Sequence, residues 1–471
     1  MFAKILSKNV NRPAAEEGTK LGRIHVAAAR RRDAGFSTRT LVYGFAGIIL
    51  AGTLLLMLPL ATRSGQITSP VDALFTATSA VCVTGLVVVD TGTYWSFFGQ
   101  VVILLMMQIG GFGFMTGATA LISVLGRRIG LTQRLLVSES LSLEGPGGMV
   151  RMVRRMAIFT GLAEGTGAVI FFFFFLMKSS PLLALWQAIF HAVSAFNNAG
   201  FDLFGNFKSL IDFQQNAPVL LTTAILFILG GVGFAVVMDL YRVRGWDRLT
   251  LNSKLVLTTS AILLLVGTTV YLIAEYFNPG TLEPMSLPVK LLSAFFQSAT
   301  TRTAGFNSIN ISSMLDYSLF FTILLMFIGG GSGSTAGGIK VNTFGLLSAT
   351  VLSTIQGKEH VGAFGREFHT EQIYRALAIL VISLGVMVIA IFLLGITEKF
   401  GFLSLFFEAV SALGNVGLDT GVTPGLSIPG RVLITVLMFT GRLGPLTLVM
   451  SLRQHRRAEL LHYPEETISI G

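Results

Sequence analysis

The chain is poor in charge. Of its 471 residues only 12% are Asp, Glu, Lys or Arg, against about 25% in an ordinary soluble domain. With 52% of residues hydrophobic, a soluble globular fold is excluded and an integral membrane protein is expected. There is one cysteine, Cys82, so no disulfide can form within the chain. The histidines are few and scattered: His25, His191, His360, His369, His455 and His462. They form no HExxH or triad-like spacing. A membrane-embedded enzyme would gather carboxylates or histidines near one face, so this reading is set aside, and no organic cofactor is expected in this chain. The first forty residues are polar and basic (Arg30, Arg31, Arg32, Arg39). They hold no short apolar core ahead of a small-residue cleavage site. No signal peptide is expected, and the N-terminus is placed in the cytoplasm. No segment is long and polar enough to be a folded soluble domain, so any nucleotide sensing must come from another chain.

The net charge of +10 raises the possibility of nucleic acid. The cations, however, sit in segments that alternate with apolar runs, so a positive-inside topology explains them and no nucleic acid is expected.

A span needs about 20 apolar residues to cross about 30 Å of hydrocarbon. Eight runs qualify, at roughly 40–61, 97–125, 153–177, 218–241, 254–277, 318–350, 374–396 and 429–452. Between the members of each pair lies a shorter semi-apolar stretch, at 70–81, 182–195, 288–300 and 402–413. These are too short to span and are read as re-entrant pore helices.

Each short stretch leads into a related motif. They are Thr78-Ser-Ala-Val-Cys-Val-Thr-Gly-Leu86, Val193-Ser-Ala-Phe-Asn-Asn-Ala-Gly-Phe201, Gln297-Ser-Ala-Thr-Thr-Arg-Thr-Ala-Gly-Phe306 and Val410-Ser-Ala-Leu-Gly-Asn-Val-Gly-Leu418. The glycines Gly85, Gly200, Gly305 and Gly417 recur at intervals of 115, 105 and 112 residues. The third motif holds one extra residue, which leaves its register open.

The expected fold is therefore an all-α membrane protein of four tandem span–pore helix–filter–span repeats, eight transmembrane helices around one central pore. Repeat 1 is placed at 39–125, repeat 2 at 152–241, repeat 3 at 253–350 and repeat 4 at 373–452. Cytoplasmic segments fill 1–38, 126–151, 242–252, 351–372 and 453–471. Basic residues concentrate in these, for example Arg127, Arg128, Arg242, Arg248, Lys358 and Arg456. Asp90, Asp202, Asp212 and Asp316 fall on the other side. This bias places both termini and every inter-repeat loop in the cytoplasm of a plasma membrane.

A selectivity filter replaces the water of a monovalent cation with rings of backbone carbonyls. Glycine supplies the backbone freedom that aims them, and helix C-termini pointing at the path favour a cation. The candidate filter is Val83, Thr84, Gly85; Asn198, Ala199, Gly200; Thr303, Ala304, Gly305; and Asn415, Val416, Gly417, with K⁺ held by their carbonyls. Cys82, Asn197, Asn198 and Asn415 are expected to pack behind the filter or bond its backbone. Arg302 should turn away from the ion and pair behind it.

The second span of each repeat carries its own glycine cluster, at 109–114, 229–234, 328–333 and 440–445. In the first two, small residues let backbones approach closely. The third runs Gly329-Gly330-Gly331-Ser332-Gly333-Ser334-Thr335-Ala336-Gly337-Gly338 and on to Lys340. So many glycines break a helix inside the membrane. Such backbone is tolerated only where protein buries it or a watery cavity meets it. A mobile loop below the filter that obstructs the pore is expected. Its likeness to a phosphate loop fails, because the lysine is displaced and a span precedes it. Arg442 stands where the other clusters have glycine. A cation in mid-span is costly and by default functional. It is read as a charge beside the pathway; a structural ion pair with Glu408 is the alternative, and the two are compatible. Glu164 and Glu275 are expected in buried pairs or interfaces, His191 in a structural role, and Phe171–Phe175 facing lipid.

These residues carry a resemblance. The four motifs, the glycine-rich break with Lys340, and Thr440-Gly-Arg442-Leu-Gly-Pro resemble the potassium-transporter superfamily that includes Ktr, Trk and plant HKT proteins. The likeness covers nearly the whole chain after residue 38. With eight expected spans the chain looks most like the Ktr membrane subunit, since Trk-type subunits carry two further N-terminal spans. The resemblance implies K⁺ as the transported ion, with Na⁺ an activator in some members. It implies a homodimer with one pore per subunit, and a cytosolic ring of nucleotide-binding, RCK-type regulatory subunits that opens the gate. In the plant branch serine at the first filter glycine goes with Na⁺ preference; Gly85 here favours K⁺. A carrier coupling Na⁺ or H⁺ to K⁺ is the competing reading. Carriers tend to show inverted repeats, whereas these four share one orientation.

Overall fold

The computed structural model describes residues 42–113, 149–243 and 245–445, with Thr447 and Glu466. The expected segment 1–38, residues 114–148 and most of the tail 453–471 lie outside the described residues. The described residues are mostly helical, with one two-stranded hairpin among them, β1 (Gly362–Ala363) and β2 (Arg366–Glu367).

In chain order the helices fall into four sets. The first is α1 (Val42–Leu56), α2 (Pro70–Val81) and α3 (Phe97–Phe112). The second is α4 (Met149–Phe175), α5 (Pro181–Phe196), α6 (Ala217–Val232) and α7 (Phe234–Arg242). The third is α8 (Leu251–Glu275), α9 (Leu287–Thr300), α10 (Asp316–Met326) and α11 (Val341–Ile355). The fourth is α12 (Thr370–Thr397), α13 (Phe402–Gly414) and α14 (Ile428–Leu443). The short helices α2, α5, α9 and α13 match the four stretches expected to be pore helices. Proline in the first turn fixes the start of three of them, where its missing N–H costs nothing.

Among the described residues three helices are long and apolar enough to cross a bilayer alone: Val153–Phe175, Leu251–Glu275 and Thr370–Thr397. The expected span 218–241 is not one helix. Helices α6 and α7 meet at an angle of 93°, because Gly233 between them takes a left-handed backbone, φ +98°. The expected run 318–350 also divides: helix stops at Met326 and resumes at Val341. The run 97–125 is helical to Phe112 and closes at Gly113 (φ +76°); the run 429–452 does so at Gly444 (φ +84°). A left-handed glycine ends a helix because it turns the backbone away from the i−4 ladder at no Cβ penalty.

The packing is cyclic. The helix that follows each short helix packs on the short helix of the next set: α3 on α5, α6 on α9, α10 on α13, and α14 back on α2. The last contact is locked by Arg431 of α14, whose Nη1 meets Asp72 Oδ1 of α2 at 2.5 Å. The C-terminal halves of all four short helices are buried.

The phenylalanine run divides by face rather than lying wholly outward. Phe171 and Phe175 are buried, packed on His191, whereas Phe173 is exposed. Four residues is one helical turn, so 171 and 175 share a side.

Candidate functional site

Each short helix ends in the same backbone turn. A residue two before the motif glycine is left-handed: Val83 (φ +50°), Asn198 (+57°), Thr303 (+65°) and Asn415 (+52°). The glycine is left-handed as well: Gly85 (+94°), Gly200 (+70°), Gly305 (+76°) and Gly417 (+89°). For a β-branched residue such as Val83 or Thr303 this costs about 1–2 kcal/mol. Such strain persists only where surrounding contacts enforce it.

Those contacts are regular. Thr84, Ala199 and Val416 donate their N–H to the motif-serine carbonyls of Ser79, Ser194 and Ser411, each at 2.8 Å. In the third motif Ala304 donates instead to Thr300 O, at 3.0 Å. The extra residue is thus absorbed before the turn, and Thr303-Ala304-Gly305 takes the register of Val83-Thr84-Gly85. Ser79 Oγ and Ser411 Oγ accept from the N–H of Gly85 and Gly417, both at 3.1 Å. These hydroxyls were not singled out in the sequence; their fixed place in the x-Ser-Ala motif was the available signal.

The four turns meet. A methyl on Gly85 would lie 2.6 Å from Ala199 O and 3.0 Å from Gly200 Cα. On Gly305 it would lie 2.7 Å from Val416 O and 3.0 Å from Gly200 Cα. On Gly417 it would collide with Thr84 O and stand 3.1 Å from Gly85 Cα. No side chain fits between these strands, so glycine serves the conformation and the close approach together.

The asparagine side chains bond the surrounding elements. Asn415 Nδ2 donates to Thr84 Oγ1 (2.9 Å) and to Met438 O (2.8 Å). Asn197 Nδ2 lies 3.0 Å from both Gln108 Oε1 and Glu164 Oε1. Cys82 is buried. Arg302 turns back on its own helix, with Nη2 on Ser298 O at 3.3 Å; among the described residues no carboxylate pairs with it. A guanidinium at a helix C-terminus complements the partial negative charge there. Glu275 is wholly buried and accepts from Asn278 Nδ2 and Thr281 Oγ1, both at 2.6 Å. His191 meets Thr223 Oγ1 at 3.1 Å within an aromatic cage.

The glycine clusters of the helices behind the ring make room for the short helices' ends. A methyl on Gly110 would strike Val81 O, on Gly230 Phe196 O, and on Gly441 Leu413 O. The packing role expected for the first two clusters therefore extends to the fourth.

Residues 327–340 form a compact loop against the same ring. Gly329 N donates to Ile339 O (2.8 Å) and Val341 N to Gly330 O (2.9 Å), closing the loop on itself. Gly331 N reaches Gly231 O (2.8 Å), Thr335 N reaches Gly230 O (3.3 Å) and Phe234 N reaches Gly333 O (3.4 Å). The loop is thus held by the segment where α6 breaks into α7. Lys340 Nζ folds back onto Ala336 O (2.6 Å). Arg442 Nη1 donates to Thr335 O in this loop, and Nη2 to Gly110 O at the end of α3. The alternative pairing of Arg442 with Glu408 is not found: Glu408 is buried elsewhere, accepting from Thr423 Oγ1 at 2.5 Å.

A family model described as TrkH, cation transport protein, matches residues 27–462. The chain belongs to this family. Among its relatives is the Ktr system potassium uptake protein B of Bacillus subtilis, 42% identical over 433 residues, covering 92% of this chain and 96% of the relative. The protein of that name from Vibrio alginolyticus is 40% identical over 444 residues, covering 94% and 96%. The potassium/sodium uptake protein NtpJ of Enterococcus hirae is 39% identical over 434 residues, covering 91% and 96%. The fold is similar to that of the potassium transporter TrkH from Vibrio parahaemolyticus, with a TM-score of 0.65 at 20% identity over 87% of this chain and 84% of that one. In this TrkH-family chain the described helices include several apolar enough for a membrane.

Proposed function

We propose that this chain takes up K⁺ across a plasma membrane as the ion-translocating subunit of a Ktr-type system. Four repeats, at 39–125, 152–241, 253–350 and 373–452, surround one pore with eight spans and both termini in the cytoplasm. The filter is Val83–Gly85, Asn198–Gly200, Thr303–Gly305 and Asn415–Gly417, whose carbonyls take the place of the ion's water. The single observation that carries this reading is the meeting of Gly85, Gly200, Gly305 and Gly417, where an added methyl would collide with backbone at Gly85, Gly305 and Gly417 and stand 3.1 Å from Gly305 Cα at Gly200. Loop 329–340 is the gate. This reading is supported by the hydrogen bond from Arg442 to Thr335 O in the loop and by the packing of Gly337 on Asn415.

The driving force is electrical. Each 100 mV of inside-negative potential contributes about 2.3 kcal/mol per cation, enough to accumulate K⁺ without chemistry in this chain. A homodimer and a cytosolic ring of nucleotide-binding subunits complete the working assembly, with Na⁺ as a candidate activator. Support for K⁺ comes from relatives named potassium uptake proteins that match over more than nine-tenths of their length.

The test is complementation of cells deficient in K⁺ uptake, paired with flux in liposomes. Growth at low K⁺ should depend on this chain, and deleting Ser332–Gly337 should raise flux without the regulatory partner. Flux that stays partner-dependent after the deletion removes the gate from the proposal. In reversal-potential measurements a pore follows the gradient of its permeant ion alone; a response to two ion gradients would establish a coupled carrier instead.

A further inference from the structure

The gate loop touches the filter through two asparagine side chains. Thr335 is buried at the middle of the loop. Its Oγ1 lies 2.9 Å from the amide of Asn198, the left-handed residue of the second filter strand. With its nitrogen turned toward the helix end, the Asn198 amide lies within hydrogen-bond distance of Thr335 Oγ1 (2.9 Å), Phe227 O (3.1 Å) and Phe196 O (3.3 Å), three acceptors that share its two N–H groups. That orientation suits the three surrounding acceptors. The side chain then ties the end of α5, helix α6 and the loop together. Two residues on, Gly337 packs on the side chain of Asn415, with no room for a methyl. Asn415 is the matching left-handed residue of the fourth strand. In the third strand Thr303 Oγ1 is buried with no hydrogen-bond partner. In the first, Val83 offers no polar group.

We propose that the Thr335–Asn198 contact couples ion occupancy of the filter to the position of the gate: a bound cation favours the loop in its blocking place, and the blocking loop tightens cation binding. This rests on the gate reading above and adds a direction to it. A left-handed asparagine is held in place by its side-chain bonds. When the loop leaves, Asn198 loses one of them and its backbone is freer to turn its carbonyl off the axis. A filter that is better ordered with the loop docked binds the ion better in that state. Linkage then requires the reverse: the ion draws the loop back. Thr335 is a positioning residue here, acting on the ion through Asn198. The consequence is self-limiting uptake, in which a filled filter works against opening.

The experiment uses the purified full-length chain in detergent without a partner. K⁺ titrated against thermal unfolding gives the apparent affinity. Thr335→Val keeps shape and removes the hydroxyl; Thr335→Ser keeps the hydroxyl. T335V should weaken K⁺ about two- to tenfold, the scale of one neutral hydrogen bond, and T335S should match the native protein. In a separate arm, Ser334→Cys is labelled with a maleimide, the sole native cysteine being buried. K⁺ should slow labelling of S334C and have no such effect on S334C/T335V. An unchanged K⁺ midpoint in T335V overturns the coupling. So does labelling of S334C that ignores K⁺, and this arm stands even where T335V fails to fold. Deleting Ser332–Gly337 separates the two readings. Unchanged flux there removes the gate itself, whereas raised flux together with K⁺-independent labelling removes only the coupling.

Discussion

Asn415 donates its amide to the hydroxyl of Thr84 across 2.9 Å, joining the turn after α13 to the turn after α2 although 331 residues separate them. Both groups are buried, and the same amide also reaches Met438 O. This bond closes the ring at its chain-end seam from the inside. Arg431 and Asp72 close it further out, with side chains 22% and 18% exposed.

The seam predicts a coupling. Asn415→Ala leaves Thr84 Oγ1 and Met438 O without their shared donor, a loss of about 1–3 kcal/mol. Thr84→Val should cost less in the Asn415→Ala background than alone, because their shared bond is already gone. Thermal unfolding of the two single variants and the double variant gives the coupling energy. Strictly additive shifts would show that the two side chains do not act on each other.

Gly85→Ala should abolish low-K⁺ growth. The added methyl would stand 2.6 Å from Ala199 O at φ +94°, so backbone must move where no flexible side chain can yield. The variant should still reach the membrane, because the strain is confined to the strand after α2. Complementation together with surface expression checks this. Growth at the native rate would contradict the packing of the four strands.

Arg442→Gln should raise flux measured without a regulatory partner. The guanidinium spans Thr335 O in the loop and Gly110 O in α3. Arg442→Lys should fall between glutamine and the native residue, since an ammonium is a point charge and not a fork. Rubidium uptake into liposomes distinguishes the three. Equal flux in all of them would leave Arg442 without a hold on the loop.

Uptake should fall as the outside is acidified through neutrality. Asp202, two residues beyond Gly200, is half-buried. Burial pushes its carboxyl up to about 7, and Asp90 nearby adds to the rise, against a backbone hydrogen bond from Phe204. A raised carboxyl is charged above that value and neutral below it. On the proposed pore, with Asp202 at its outer end, the carboxylate charge that would attract cations is present at pH 8 and largely lost at pH 6. Asp202→Asn should remove the dependence and hold flux near the acid level. A native pH profile in that variant would assign the titration elsewhere.

Much of the fold was legible because its signals are local. Low charge and long apolar runs needed only composition. The short helices were readable from length, and the glycine turns from their fourfold recurrence. The loop at 327–340 was marked by its own glycines. What was not legible depends on partners far along the chain. No local pattern says that Arg442 reaches Thr335 and not Glu408, or that Phe171 faces His191 and not lipid. The extra residue of the third motif could be placed only once Thr300 O was seen to replace the serine carbonyl. The 93° bend at Gly233 was hidden for another reason: a glycine within an apolar run serves equally for close packing or for breaking the helix.

The amino-acid order by itself determined that this chain lives in a membrane, carries four copies of one turn and interrupts a helix beside one of them. The tertiary structure alone decided that the copies meet, in which cyclic order, and which side chains fasten the loop beneath them. Sequence encodes the conformational preference of each segment through short-range sterics and periodicity. Contacts between segments a hundred residues apart are fixed only when all of them compete for the same buried space.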